Sequence, residues 1–170
     1  MDKFENIKPL NKSDLSEYAE VIRRSFATVA RDFGLTKDNC PYHTSFITNE
    51  RLESKFKDGY YPYGYFADGK IVGFVALTQI NDGVFEMNNL SVLSEYRHFG
   101  YGKTLLNYCK EKISSFNGGK IVLDIIEENA VLKSWYAANG FVHTGTKRFE
   151  HKPFTVGYME WTANLSEKIK

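Results

Sequence analysis

The first part of the chain shows the spacing of two amphipathic helices. From residue 15 to residue 33, apolar residues recur every three or four positions, and Gly34 then ends the pattern, so we predict one long helix there. The Asp14-x-x-Glu17 spacing is typical of a capping box at its start. A second, shorter helix is predicted over Thr48–Phe56.

Short apolar or alternating runs predict strands elsewhere in the chain. Asp68-Gly69 lies between two such runs and suits a type I′ hairpin turn, in which both central residues take a positive φ. The run Ile121–Ile126 is almost wholly apolar, which is typical of a parallel strand buried on both faces. The predicted strands are Phe4–Pro9, Tyr61–Phe66, Ile71–Ile80, Val84–Val92, Ile121–Ile126, Phe141–Phe149 and Phe154–Trp161.

Two further helices separate the later strands. One follows the stretch Y-R-H-F-G-Y-G-K-T, and its Leu105, Leu106, Cys109, Ile113 and Phe116 share one face. The other covers Ala130–Ala138, with Asn129 as its N-cap and Gly140 as its end.

The predicted element order is β-α-α-β-β-β-α-β-α-β-β. The strand–helix–strand unit from Val84 to Ile126 implies a parallel crossover inside an otherwise antiparallel sheet. We therefore expect the α/β (α+β) class: one domain over residues 1–170, with about four helices and a mixed, mostly antiparallel sheet of six to seven strands around a central parallel pair.

Composition narrows the classes of function. The 170 residues carry 22 Lys and Arg against 21 Asp and Glu, so no broad charged surface for nucleic acid or an anionic membrane is expected. The two cysteines have no metal-ligand spacing, and no metal is expected. Because no signal peptide or long apolar segment is recognisable, a cytoplasmic protein is expected.

The stretch G-Y-G-K-T resembles the end of a nucleotide-binding P-loop. That motif requires G-x-x-x-x-G-K-[ST], and Arg97 occupies the place of its first glycine. A bulky residue there obstructs the wrapping of the chain around a phosphate. A P-loop nucleotide hydrolase is therefore disfavoured.

The run R-x-x-G-x-G, between a strand and a helix, is a candidate anion site. Its two glycines permit a tight turn with converging backbone N–H groups, and the following helix adds the positive end of its dipole. Arg97 and Lys103 would contribute side-chain charge. An ordinary strand-to-helix turn is the alternative.

Two motifs resemble those of the GCN5-related N-acetyltransferase (GNAT) family, which transfers acetyl from acetyl-CoA to an amine. The first is the V-x-x-x-x-R-x-x-G-x-G run from Val92 to Gly102. The second is an N-x-x-x-x-x-x-Y-x-x-x-G-F run from Asn129 through Tyr136 to Phe141. They occur in the family's order, with one strand between them.

The resemblance implies a binding site for acetyl-CoA as the acyl donor. Main-chain groups of Leu90 and Val92 would pair with the pantetheine amides, and the loop amides would hold the pyrophosphate. The implied cofactor-binding residues are Leu90, Ser91, Val92, Arg97, His98, Phe99, Gly100, Tyr101, Gly102, Lys103, Thr104, Asn129 and Tyr136.

The resemblance also implies the catalytic residues. Tyr136 would give a proton to the departing CoA thiolate, with core packing as the alternative. Glu86 would accept a proton from the amine; alternatively, it is a solvated strand residue and ordered water is the base. Alternation along the strand places Glu86, Asn88, Leu90 and Val92 on one face.

The acceptor is expected to be a primary amine of a small molecule or peptide that attacks directly in a ternary complex. Candidate contacts are Tyr42, His43 and Asn88, although an isolated loop His is often simply solvated. The protein would be a monomer or homodimer. A non-catalytic acyl-CoA-binding or sensor domain of the same fold is the alternative function.

Overall fold

The computed structural model describes residues 2–164. Its strands are β1 (Ile7–Pro9), β2 (Tyr60–Ala67), β3 (Lys70–Asn81), β4 (Val84–Val92), β5 (Lys120–Ile126), β6 (Val142–Arg148) and β7 (Thr155–Thr162). Its helices are α1 (Leu15–Asp32), α2 (Asn49–Glu53), α3 (Tyr101–Ser115) and α4 (Ala130–Ala138). The predicted order of elements is confirmed.

The strands form one sheet of seven in the order β1-β2-β3-β4-β5-β7-β6. β4 and β5 run parallel, whereas the pairs β1–β2, β2–β3, β5–β7 and β6–β7 are antiparallel. The predicted mixed sheet with a central parallel pair is confirmed. The predicted hairpin turn is also present, because Asp68 and Gly69 have φ values of 51° and 75°.

Two local predictions were wrong, one at the start of the first helix and one at the end of the second. The capping box joins Asn11 and Asp14 around a short 3₁₀ turn, and Asp14 makes no side-chain cap to α1. Glu17 instead accepts a hydrogen bond from the backbone N–H of Ile71, at 2.9 Å. The second helix covers only Asn49–Glu53, with the Thr48 side chain capping its start.

The described residues group into two compact units, and the single-domain organisation stays a prediction. Unit 1 comprises residues 2–78 and 87–109. In its core, Tyr18 of α1 stacks on Phe74 of β3 with ring centroids 4.8 Å apart. Leu105 and Leu106 of α3 are also fully buried there, as the helical pattern predicts.

Unit 2 comprises residues 79–86 and 110–164. Its core contains Phe85 stacked on Phe116, with ring centroids 5.8 Å apart, and the fully buried Ile113, Ile121 and Met159. β5 is not buried on both faces, contrary to the prediction. Ile121, Leu123 and Ile125 are buried, but Val122 is half-buried and Asp124 is exposed.

Candidate functional site

The second half of β4 does not follow simple alternation. Asn89 has a φ of 55°, in the left-handed region that non-glycine residues seldom adopt. Phe85 and Met87 alternate with half-buried neighbours before it, but Ser91 and Val92 are buried in succession after it. The prediction that Leu90 and Val92 share a face with Glu86 and Asn88 is therefore not supported. The parallel pairing with β5 ends at Glu86, although β4 continues to Val92.

The turn between β4 and α3 is built on two left-handed residues. These are His98, with a φ of 68°, and Gly100, with a φ of 85°. The sequence predicted that Gly100 and Gly102 make this turn. Gly102 instead lies in the first turn of α3, and the second left-handed residue is His98. The backbone N–H and the hydroxyl of Thr104 both donate to the Gly100 carbonyl, at 3.0 and 2.9 Å. The turn therefore leads directly into the N-terminus of α3, which begins at Tyr101.

Helix geometry supplies donors at this point. The first four N–H groups of an α-helix have no acceptor within the helix, and they carry its positive dipole end. Tyr101 fixes the first turn by stacking on Tyr65 of β2, with centroids 4.2 Å apart. Lys103 is exposed on the same turn. The arrangement suits a compact anion such as a pyrophosphate.

The Arg97 side chain points into unit 1. Its Nε donates to the Val92 carbonyl at 3.0 Å, and its two terminal nitrogens donate to α1: to the Thr28 hydroxyl at 3.2 Å and the Ser25 carbonyl at 2.9 Å. Burial lowers the pKa of the guanidinium, which still remains charged. Arg97 therefore joins the loop to α1. The Val92 carbonyl, predicted to face the cofactor, already accepts one of these bonds on one of its two lone pairs.

Each side chain in unit 1 that was predicted to bind the acceptor contacts another side chain. His43 begins a 3₁₀ turn, and its Nδ1 lies 2.7 Å from the hydroxyl of the buried Ser45. Tyr42 is exposed, with Arg51 over its ring at 5.6 Å. The Asn88 side-chain carbonyl accepts from the Thr78 hydroxyl at 3.0 Å.

Glu86 lines a cavity of about 330 Å³ in unit 2, which we call the β5 cavity. Its lining includes Glu86, Asp124, Thr144, Tyr158, Met159 and Glu160. Asp124 was not among the site residues predicted from the sequence. The signal was present, because a lone carboxylate interrupts an apolar strand. With Asp124, three carboxylates line the β5 cavity: Glu86, Asp124 and Glu160.

Burial is the largest cause that raises the pKa of Asp124. The Glu86 carboxylate raises it further, whereas Lys152 and the backbone N–H of Asp124 itself lower it. Asp124 is exposed as a residue, yet the protein surrounds its carboxyl enough to disfavour the charged form.

The second motif lies on and around α4. The Asn129 side chain accepts from the Leu132 backbone N–H at 3.2 Å, so the predicted helix cap is confirmed. Tyr136 is 6% exposed and packs edge-to-face on Phe141, with centroids 5.3 Å apart. Its contact with the cofactor stays a prediction, as does that of Asn129.

A sequence profile of the Acetyltransferase (GNAT) family matches residues 27–141, more than half of the chain. Both motifs lie within the matched segment. The chain belongs to the GNAT family. Membership supports acetyl transfer as its general chemistry.

Individual relatives agree with this assignment. An uncharacterized N-acetyltransferase in the pepI 3′ region of Lactobacillus delbrueckii subsp. lactis is 22% identical over 95% of each chain. PaiA N-acetyltransferase from Thermoplasma acidophilum, solved in complex with coenzyme A, is 25% identical with a TM-score of 0.72, over 92% of this chain and 97% of its own. The ribosomal-protein-S18-alanine N-acetyltransferase from Escherichia coli is 16% identical with a TM-score of 0.76 over 94% of each chain, and shows the common GNAT fold.

Two kinds of feature are absent from residues 2–164. No group of three or more His, Cys, Asp or Glu side chains is arranged to hold a metal ion. None of the helices in this part of the chain is long and apolar enough to cross a membrane.

Proposed function

We propose that this GNAT protein transfers the acetyl group of acetyl-CoA to a primary amine of a small molecule or peptide, by direct attack in a ternary complex. The observation that carries the proposal is the turn between β4 and α3. Left-handed residues at His98 and Gly100 place unpaired helix amides on a loop of the length and sequence that the family uses for CoA pyrophosphate. The CoA complex of PaiA from Thermoplasma acidophilum supports this choice of donor.

On the donor side, the main chain does most of the binding. Amides from His98 to Lys103 hold the pyrophosphate, and the exposed Lys103 adds charge that a bound phosphate can reach. Arg97 stabilises the loop and does not bind the phosphate, because its three nitrogens donate hydrogen bonds within unit 1. Leu90 and Val92 offer main-chain groups to pantetheine, as an added strand would, and the Val92 carbonyl does so through the lone pair that Arg97 leaves open.

The chemistry needs a base and an acid. An ammonium has no lone pair, so Glu86 takes a proton from the acceptor within the β5 cavity. The amine nitrogen then attacks the thioester carbonyl, and the carbon–sulfur bond breaks. Tyr136 gives a proton to the departing thiolate, for which a phenol is well matched because the two pKa values are similar. Asn129 contacts the cofactor while it caps α4.

The acceptor contacts in unit 1 are Tyr42, His43 and Asn88. The Arg51 guanidinium covers the exposed ring of Tyr42, and His43 is oriented by the Ser45 hydroxyl. Both side chains can therefore present a fixed surface to a small organic amine.

Two measurements test the proposal. Calorimetric titration should show binding of acetyl-CoA and none of ATP; the opposite result would restore the P-loop interpretation. Free thiol should then be released from acetyl-CoA in the presence of amines such as ethylenediamine, tyramine or a short peptide with a free N-terminus. Tight acetyl-CoA binding with no thiol release above the amine-free rate would favour a non-catalytic sensor.

A further inference from the structure

The geometry of β5 places a second carboxylate beside Glu86. In the sheet, Val122 lies opposite Glu86 on one side and opposite Glu160 on the other. Asp124, two residues further along, shares the strand face of Val122 because side chains alternate. It lies opposite Tyr158 of β7, and all of these residues line the β5 cavity.

The Glu86 carboxylate acts electrostatically on Asp124. The charge of Glu86 disfavours ionisation of Asp124, which burial already disfavours, and Lys152 only partly offsets both effects. A like charge nearby makes a carboxyl hold its proton more readily. Of this pair, Glu86 is half-buried and Asp124 is exposed.

We propose that Asp124 is a second catalytic carboxylate, which receives the acceptor's proton across the β5 cavity from Glu86 and releases it to solvent. The inference rests on the proposed acetyl transfer. The N–H bond of the ammonium breaks, its electron pair stays on nitrogen, and the proton moves from Glu86 to Asp124 to water. When the amide forms, the nitrogen loses a second proton and the thiolate gains one. Each turnover therefore releases one proton to solvent, and this route carries it.

The surroundings of Asp124 agree with a proton-releasing role. The charged or titratable groups facing it are Glu86 from β4, Lys152 from the β6–β7 connection, and Tyr158 and Glu160 from β7. Lys120 lies 3.6 Å from Glu160, so that carboxylate has its own cation. Glu160→Gln is therefore a matched control, since it removes a carboxylate from the same cavity without removing either member of the pair.

The kinetic test compares Asp124→Asn, Asp124→Glu and Glu160→Gln with the unaltered chain. The assay follows thiol release across pH with the amine that turns over fastest among ethylenediamine, tyramine and the peptide. Asp124→Asn should lower kcat about 100-fold with a smaller change in the amine KM. It should also move the acid limb to lower pH, because the group with the raised pKa is gone. Asp124→Glu should recover part of the rate, and Glu160→Gln should leave the acid limb where it lies in the unaltered chain, because Glu160 is not among the causes of the raised Asp124 pKa.

A stability test is independent of the acceptor. A carboxyl whose pKa is raised by folding binds protons more tightly in the folded state, so its contribution to stability falls as pH rises through that window. Asp124→Asn should flatten this fall and should be more stable than the unaltered chain at neutral pH. In a double-mutant cycle, Asp124→Asn should increase the free energy of unfolding less in the Glu86→Gln background than in the unaltered chain.

Several outcomes overturn the inference. A change in KM alone makes Asp124 a binding residue, and unchanged kinetics remove it from the mechanism. Additive stability effects in the cycle show that the two carboxylates are not coupled. If the unaltered chain transfers acetyl to none of the amines, the proposed function itself fails, and this inference fails with it.

Discussion

Replacing Arg97 with Ala separates two roles that the family motif leaves together. From sequence, Arg97 was expected to supply charge to a bound phosphate. In the structure, its guanidinium donates to the Val92 carbonyl, the Thr28 hydroxyl and the Ser25 carbonyl. The substitution should therefore act mainly on the folding stability of unit 1, through the loss of the connection between the loop and α1.

The expected magnitude follows from those three bonds. Each abandoned acceptor that is poorly hydrated costs about 1–3 kcal/mol. Because Arg97 is half-buried, water reaches part of the space, and we take the lower bound of about 1 kcal/mol for each. The sum is about 3 kcal/mol, which corresponds to a fall in Tm of about 6–12 °C for a chain of this size.

Arg24 provides the matched control. Arg24 forms an ion pair with Glu95, which lies two residues before Arg97, at 2.7 Å. The side chains of Arg24 and Glu95 are 51% and 49% exposed. Such a pair contributes about 0–1 kcal/mol. Thermal unfolding and acetyl-CoA titration of both Ala variants decide the matter. If Arg97→Ala is no less stable than Arg24→Ala but binds acetyl-CoA far more weakly, the side chain serves the phosphate and the reasoning is refuted.

Substitutions at Gly100, Asn129 and Tyr136 test three further features, the first two with a control variant. Gly100→Ala should weaken acetyl-CoA binding about tenfold in calorimetry, because a left-handed φ costs an L-residue about 1–2 kcal/mol. Gly34 at the end of α1 also has a left-handed φ, of 62°, so Gly34→Ala should lower stability without changing the affinity for acetyl-CoA. If both variants bind acetyl-CoA equally well, the loop at Gly100 does not take part in binding. Asn129→Ala should destabilise the fold by about 1 kcal/mol in thermal unfolding through loss of the α4 cap, whereas Asn129→Asp should not; equal stability would contradict the cap. Tyr136→Phe keeps the packing on Phe141 and should lower kcat about 100-fold with little effect on acetyl-CoA affinity; unchanged kcat would leave Tyr136 a packing residue.

Features set by nearby residues could be predicted from the sequence. Asn129 caps α4 because its side chain reaches an N–H three residues away, and the positive φ values of Asp68 and Gly69 follow from a two-residue hairpin turn. The buried face of α3 follows from helical periodicity alone. These interactions are short in sequence, so the pattern contains them.

Features set by distant residues could not be predicted. The α1 acceptors of Arg97 are 69 and 72 positions away, and the residue type alone suggested a phosphate ligand. The left-handed conformation of Asn89 changed which side chains share a face of β4. The lone carboxylate of Asp124 is visible in the apolar run, but its significance depends on Glu86, which lies 38 positions earlier in the chain and lines the same cavity.

Acetyl transfer to an amine is the central claim, and product stoichiometry tests it most directly. With acetyl-CoA and a primary amine, the thiol released above the amine-free rate should equal the acetylated amine that mass spectrometry detects. Both should vanish together when either substrate is omitted. Thiol release without acetylated amine, or no turnover with any primary amine despite bound acetyl-CoA, would contradict the proposed function.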